Sequence, residues 1–298
     1  MRAGEACFKS FSKRHAPPPN PHDIHKGYRY NLVFPNPAAP QSLVGLVGAA
    51  QMDISGDRVF SLCYNVPNVI GKGQGRRHCM PNTEKDKRPI VARITVGIFQ
   101  ENCYLYACPQ TLEAVIIDPG DEAGRILKRI EELKLIPKYI LNTHGHIDHI
   151  RAIDAISAVY PVPLAIHPDD VYMYTEEHVA RRYGLSAPLV QRKPDILLKD
   201  GDRISFGTLT LEVLYTPGHT PGGVCFLSTP YCVFTGDTLF QRSIGRTDFE
   251  GGNYEQLITS IREKLYTLDE NLVVFPGHGD PTTILEEKHE NPFVNVEE

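Results

Sequence analysis

Six consecutive positions constrain this chain more than any other feature. The run His144-Gly145-His146-Ile147-Asp148-His149 carries three imidazoles and a carboxylate. These side chains suit zinc, and also iron or manganese. In an extended or loop conformation residues i and i+2 point the same way, so His144 and His146 can close on one ion. Asp148 and His149 then continue round the turn toward a second. Gly145 keeps the loop sterically open between its two ligands. The run is internal and follows a strand-like stretch, 138–142, which separates it from a histidine tag.

Three further positions repeat the same context, a metal-competent side chain in an abrupt turn just past a strand-like run. His219 lies in Thr216-Pro217-Gly218-His219-Thr220-Pro221-Gly222-Gly223, Asp237 in Phe234-Thr235-Gly236-Asp237-Thr238-Leu239-Phe240, and His278 in Phe275-Pro276-Gly277-His278-Gly279. Each alone is a weak signal, because polar residues flanked by glycine are common in turns. Together they define a candidate metal set of His144, His146, Asp148, His149, His219, Asp237 and His278. Loops at strand ends can converge at one edge of a sheet while the scaffold holds them still.

The pattern around these loops predicts strands over 90–96, 103–107, 114–117, 138–142, 163–166, 196–198, 203–206, 210–214, 224–227, 232–235 and 272–275. It predicts helices over 121–135, stopped by Pro137, and over 150–159 and 254–265. Strands mixed with helices and several hairpins, rather than strict βαβ alternation, predict an α+β fold in which two mixed sheets are covered by helices.

The first 89 residues read differently. They hold Ala16-Pro17-Pro18-Pro19-Asn20-Pro21 and a Gly-rich run at 71–77, with 13 of the chain's 31 Lys/Arg but only 6 of its 36 Asp/Glu. The domain boundary is therefore placed at 89/90, with a basic Pro/Gly-rich extension before it and the domain that carries the candidate metal set, 90–298, after it. The arm reads as disordered or as the product of a misplaced start, with Met80 the first residue; an organelle-targeting segment or a docking arm are its alternatives. The net charge of −5 gives no electrostatic reason to expect nucleic acid or membrane as a partner. No apolar run reaches the roughly 18 residues of a membrane span. Seven cysteines, an odd number without a C-x-x-C pair, point to a reducing, cytoplasmic setting. Cys103, Cys225 and Cys232 read as small buried hydrophobes.

The motif His144-x-His146-x-Asp148-His149, with His219, Asp237 and His278 in this order, resembles the metallo-β-lactamase superfamily from about residue 94 to 294. The resemblance implies a four-layer αβ/βα sandwich with the site at one edge. It implies two divalent metal ions, zinc first, with iron or manganese as alternatives. His144, His146 and His219 would hold one; Asp148, His149 and His278 would hold the other, and Asp237 would bridge them. Asp148 would also be catalytic, orienting the hydroxide.

Within the superfamily, Gly236-Asp237-Thr238-Leu239-Phe240 followed by Ser243-Ile244-Gly245-Arg246-Thr247-Asp248-Phe249 is similar to glyoxalase II, the hydroxyacylglutathione hydrolases. So is Pro276-Gly277-His278-Gly279-Asp280-Pro281-Thr282-Thr283-Ile284. Only 20 residues follow His278, so the resemblance is to the short, single-domain branch. It implies hydrolysis of S-lactoylglutathione or a similar hydroxyacyl thioester, a small-molecule partner, by a metal-bridging hydroxide. Arg246 has two readings: an ion pair with Asp248, or an arm near the mouth that binds glutathione carboxylates. Tyr183 and Lys288 are weaker substrate candidates, readable as ordinary surface residues. The alternatives are a persulfide dioxygenase with one iron, a lactonase or other ester hydrolase on the same fold, and a metal-stabilised scaffold. Retention of all seven ligands argues against the last.

Overall fold

The computed structural model describes residues 51–52, 58–61 and 88–294. An eight-stranded sheet runs in chain order through β1 (Gln51–Met52), β2 (Arg58–Ser61), β3 (Ile90–Val96), β4 (Glu101–Ala107), β5 (Glu113–Ile117), β6 (Ile136–Leu141), β7 (Leu164–Ile166) and β8 (Ile196–Leu197). Neighbours are antiparallel as far as β5 and parallel from β5 to β8. The helices α1 (Ala123–Glu132), α2 (Ile147–Ile150) and α3 (Ile153–Val159) lie between its later strands in sequence, followed by a 3₁₀ run (Pro168–Thr175) and α4 (Glu177–Arg182).

The second sheet comprises β9 (Arg203–Phe206), β10 (Leu209–Tyr215), β11 (Val224–Ser228) and β12 (Cys232–Gly236). After a two-stranded ribbon, β13 (Leu239–Phe240) with β14 (Ser243–Ile244), come α5 (Tyr254–Ser260) and a π-helical turn (Ile261–Leu265). β15 (Val273–Pro276) then pairs parallel with β12, β16 (Thr282–Thr283) closes the edge, and α6 (Ile284–Glu290) follows.

The layers follow from strand periodicity. Alternate residues Tyr104, Tyr106, Val115 and Ile117 turn toward the second sheet and meet Phe226, Phe234 and Phe275. The intervening Cys103, Leu105, Ala114 and Ile116 face the other way, against Ile126 and Ile130 of α1 and Ile153 and Ile156 of α3. On the far side of the second sheet Cys225, Leu227, Val233 and Val274 pack on Leu257, Ile261, Leu265 and Ile284. The order is helix, sheet, sheet, helix, which is the α+β sandwich expected. Phe234 is the centre of the middle layer, with ring centroids 5.3 Å from Tyr104, 5.2 Å from Tyr106 and 5.4 Å from Phe275. Truncating such a buried ring costs about 3–5 kcal/mol.

Three expectations need correction. The first helix is not stopped by Pro137, which lies inside β6. It ends earlier, where Lys134 takes a left-handed φ of 54° and Leu135 N–H donates back to Ile130 O at 2.9 Å, a Schellman-type stop. The helix expected over 150–159 is two pieces, because Ala152 N–H donates to Pro119 O (3.0 Å) instead of to its own helix. Regular structure also begins before Ile90: Arg58–Ser61 pairs with Ile90–Arg93. Apart from these residues, β1 and 88–89, the arm, including Met80, lies outside the described residues. Cys103, Cys225 and Cys232 are free and buried, as their reading as core residues requires, and so is Cys108.

Candidate metal centre

Every candidate ligand sits where the chain leaves a strand. Strand β6 delivers Asn142, Thr143 and His144, and the single turn α2 carries Asp148 and His149. The β10–β11 turn carries His219, and Asp237 and His278 follow β12 and β15. Since β5 runs parallel beside β6, Asp118 at its end reaches the neighbouring loop. It accepts from Thr143 N–H (2.7 Å) and from Thr143 Oγ1–H (2.6 Å).

Hydrogen bonding fixes which imidazole nitrogens are bare. His219 Nδ1 is 2.6 Å from the Arg246 carbonyl, which can only accept, so Nδ1 holds the proton and Nε2 is free. Thr143 Oγ1 spends its one proton on Asp118, so at 3.1 Å it accepts from His144 Nδ1–H and leaves His144 Nε2 bare. His219 Nε2 faces His146 Nδ1 at 2.9 Å. His144, His146 and His219 thus offer one nitrogen each to a common point, within 4.8 Å of one another.

The second group is richer in carboxylate. His278 Nε2 lies 3.3 Å from Asp148 Oδ2, and Asp148, His149 and His278 form a set of the same compactness. Asp237 touches both groups. Its Oδ2 is 3.5 Å from His219 Nε2 and 3.5 Å from His278 Nε2, while its Oδ1 is 3.4 Å from His149 Nε2. All seven sequence-derived candidates are therefore brought together. His144 Nε2, His149 Nε2 and Asp237 Oδ1 are buried without a hydrogen-bond partner. Orphaned acceptors at such a site are what a cation would satisfy.

The two groups hold protons differently. Burial pushes His144 and His219 below the usual imidazole range and His146 down to about 3, with neighbouring imidazoles adding to the effect for His144 and His146. Burial opposes charge on His149 and His278 too, but Asp237 overcomes it, helped by Asp118 at His149 and by Asp148 at His278, and both are raised. Conversely, against the same burial, the imidazoles His278 and His149 hold Asp237 well below the ordinary carboxylate range.

Sequence reasoning missed the residues that hold these loops. Asp170, fully buried, accepts from Gly145 N–H (3.1 Å), Thr220 Oγ1–H (2.7 Å) and Gly222 N–H (2.6 Å), tying the His144–His146 loop to the His219 loop. Burial pushes its carboxyl up to about 6, with those three bonds acting against the rise. Asn102 donates from its backbone to Gly277 O (2.8 Å) and from its side chain to Pro276 O and Gly279 O, and Arg93 also bonds Gly279 O. A Cβ at Gly277 would fall 2.3 Å from Asp237 Oδ1 and 2.8 Å from His149, so only glycine lets the strand pass there. Asp118 could have been found by the signal that revealed Asp237, a carboxylate just past an apolar strand. Asp170, in the 3₁₀ run after β7, carried no comparable signal.

At the rim, the Phe249 ring is 5.1 Å from His146 and Phe240 is 6.0 Å from His278. Arg246 makes the ion pair that was one of its two readings, with Nε and Nη2 on Asp248 at 2.9 and 2.8 Å, and its guanidinium lies 4.3 Å over Phe249. Tyr183 packs edge-on against Phe99, and Lys288 pairs with Glu270. A pocket lined by Tyr172, Glu176, Glu177, Arg181 and Glu250 opens beside this rim. Among the described residues no helix is long and apolar enough to cross a membrane.

The profile of the metallo-β-lactamase superfamily matches residues 96–278. This chain belongs to that superfamily, and with it to the metal-dependent hydrolases. It is 42% identical over 207 residues to the hydroxyacylglutathione hydrolase GloC of Haemophilus influenzae, a match spanning 68% of this chain and 96% of that one. The crystal structure of the BLEG-1 B3 metallo-β-lactamase is 37% identical with a TM-score of 0.63, covering 68% of this chain and 99% of the other. TTHA1623, solved in a di-iron-bound form, is also 37% identical, with a TM-score of 0.61 over 67% and 98%.

Proposed function

We propose that the chain hydrolyses a hydroxyacyl thioester at a two-ion centre. The observation that carries this reading is Asp237, one carboxylate within 3.5 Å of nitrogens from both ligand groups. His144, His146 and His219 would hold one ion, Asp148, His149 and His278 the other, with Asp237 shared. Two ions held there would supply a water acidified to near-neutral pKa and a Lewis acid for the acyl carbonyl. Zinc suits this donor set; the di-iron form of TTHA1623 keeps iron in play.

The chain's own residues orient the reactants. Asp148 has a partly exposed carboxylate 3.3 Å from His278, placed to accept a hydrogen bond from the attacking water. Phe249 and Phe240 stand beside His146 and His278 where an acyl chain would approach. A thiolate leaves with a pKa near 8.5, so it needs little help from an acid. The name of the Haemophilus relative supports the substrate class. The pocket beside the rim has three glutamates, and its one arginine is paired with Glu177. Such a lining does little for the carboxylates of glutathione, so thiol carriers of lower negative charge belong in the same assay.

The test is a thioester panel, S-lactoylglutathione included, run beside elemental analysis of the same preparation. The expected result is thioester turnover that tracks bound metal. Undiminished turnover by the metal-free protein overturns the reading. One iron per chain with oxygen uptake on glutathione persulfide replaces it with the dioxygenase.

A further inference from the structure

Glu101, the first residue of β4, is completely buried, and neither of its carboxylate oxygens has a hydrogen-bond partner. A buried carboxylate left without donors is among the costliest arrangements a fold can carry unless positive charge lies close by. The nearest such group is His149, whose Nδ1 is 3.8 Å from Glu101 Oε1. Asp118 Oδ2 stands 3.1 Å from the same nitrogen. Asp118 divides its carboxylate among several partners, accepting also from Thr143 N–H and Oγ1–H and, more weakly, from Asn142 Nδ2–H (3.4 Å). Glu101 has no such duties.

Its backbone has a second role. Glu101 forms an antiparallel bridge with His278, and the next residue, Asn102, bonds the backbone of Pro276, Gly277 and Gly279 on either side of that histidine. One strand start therefore approaches both histidines of the Asp148–His149–His278 group, one by side chain and the other by main chain. The loops of the His144–His146–His219 group are held instead by Asp170.

We propose that Glu101 is a positioning residue for the second ion: its buried carboxyl behind His149 and its main-chain bridge to His278 make the chain retain two metal ions where one would otherwise remain. This rests on the two-ion reading above. A carboxylate behind a ligating imidazole fixes the ring and raises its basicity, and losing such a partner typically costs 10–100-fold in metal affinity.

The test compares wild type, Glu101→Gln and Glu101→Asp, each made metal-free and titrated with zinc against a competing chelator. Gln keeps the shape and removes the acid group; Asp keeps the acid group and withdraws it from His149. Wild type should take two ions. Glu101→Gln should keep the first ion at wild-type affinity and bind the second roughly 10–100-fold more weakly, with Glu101→Asp between them. If Glu101→Gln fails to fold, as the thermal melt of the metal-free protein would reveal, Glu101→Asp decides alone: an unweakened second site overturns the proposal. Two ions bound with wild-type affinities by both variants overturns it too, as does a wild type that takes only one ion. If wild type takes two ions, the variants lose one, and no thioester is hydrolysed, the substrate reading falls while the role of Glu101 stands.

Discussion

The two halves of the centre use the same metal-ligand chemistry under opposite electrostatics. His144, His146 and His219 are neutral imidazoles, kept so by burial and by one another. His149 and His278 lie among Asp118, Asp148 and Asp237 and hold their protons tightly. In the first half the lone pairs are ready. In the second, the carboxylates favour a proton on the nitrogens a cation would take, and loading an ion competes with it. The difference teaches that a ligand count alone does not describe a two-ion site: the halves should fill and empty under different conditions.

The largest effect should come from the one residue common to both halves. Asp237→Ala should abolish turnover and strip most of the metal from both, as elemental analysis would record. His278→Ala should cost the second ion and most of the activity while one ion stays; loss of both would mean the halves are not separable. Lowering the pH in steps should empty the second half before the first, because its raised histidines recapture protons while the depressed imidazoles of the first half stay neutral. Metal content after dialysis at each pH checks the order, and simultaneous loss would contradict it.

Asp170→Asn should weaken the first ion by about tenfold, since an amide NH2 would point at the N–H and O–H donors that Asp170 now accepts, and a zinc titration reads this directly. The smallest effect is expected from Arg246→Ala. An exposed ion pair such as Arg246–Asp248 is worth about 0–1 kcal/mol, so thermal stability should barely move. Any substrate role would surface as a higher KM for an anionic thioester with kcat kept.

Much of this was legible because strand-end chemistry is local. The ligands announce themselves by residue type and by the Pro/Gly turns around them, and the strands by period-two apolar alternation. Both signals survive without knowledge of the fold. The supports were less visible because their meaning is nonlocal. Glu101 and Asn102 fall in the loop ahead of the strand expected over 103–107 until β15 is laid beside them, and Asp170 matters only once two distant loops meet. Helix ends misled for a related reason: Pro137 reads as a stop, yet Lys134 had already turned the chain and tertiary bonds set the break at Ala152.

The loop that presents His278 belongs to the second sheet but is held by Arg93 and Asn102 of the first. An ion ligated by His149 and His278 would be a rivet through both halves of the sandwich. Prising the sheets apart at this edge and releasing the ion would then be a single event with a single barrier. The working lifetime of the protein in a chelating medium would be set by how fast that rivet leaves, a matter of kinetic stability rather than of equilibrium folding free energy.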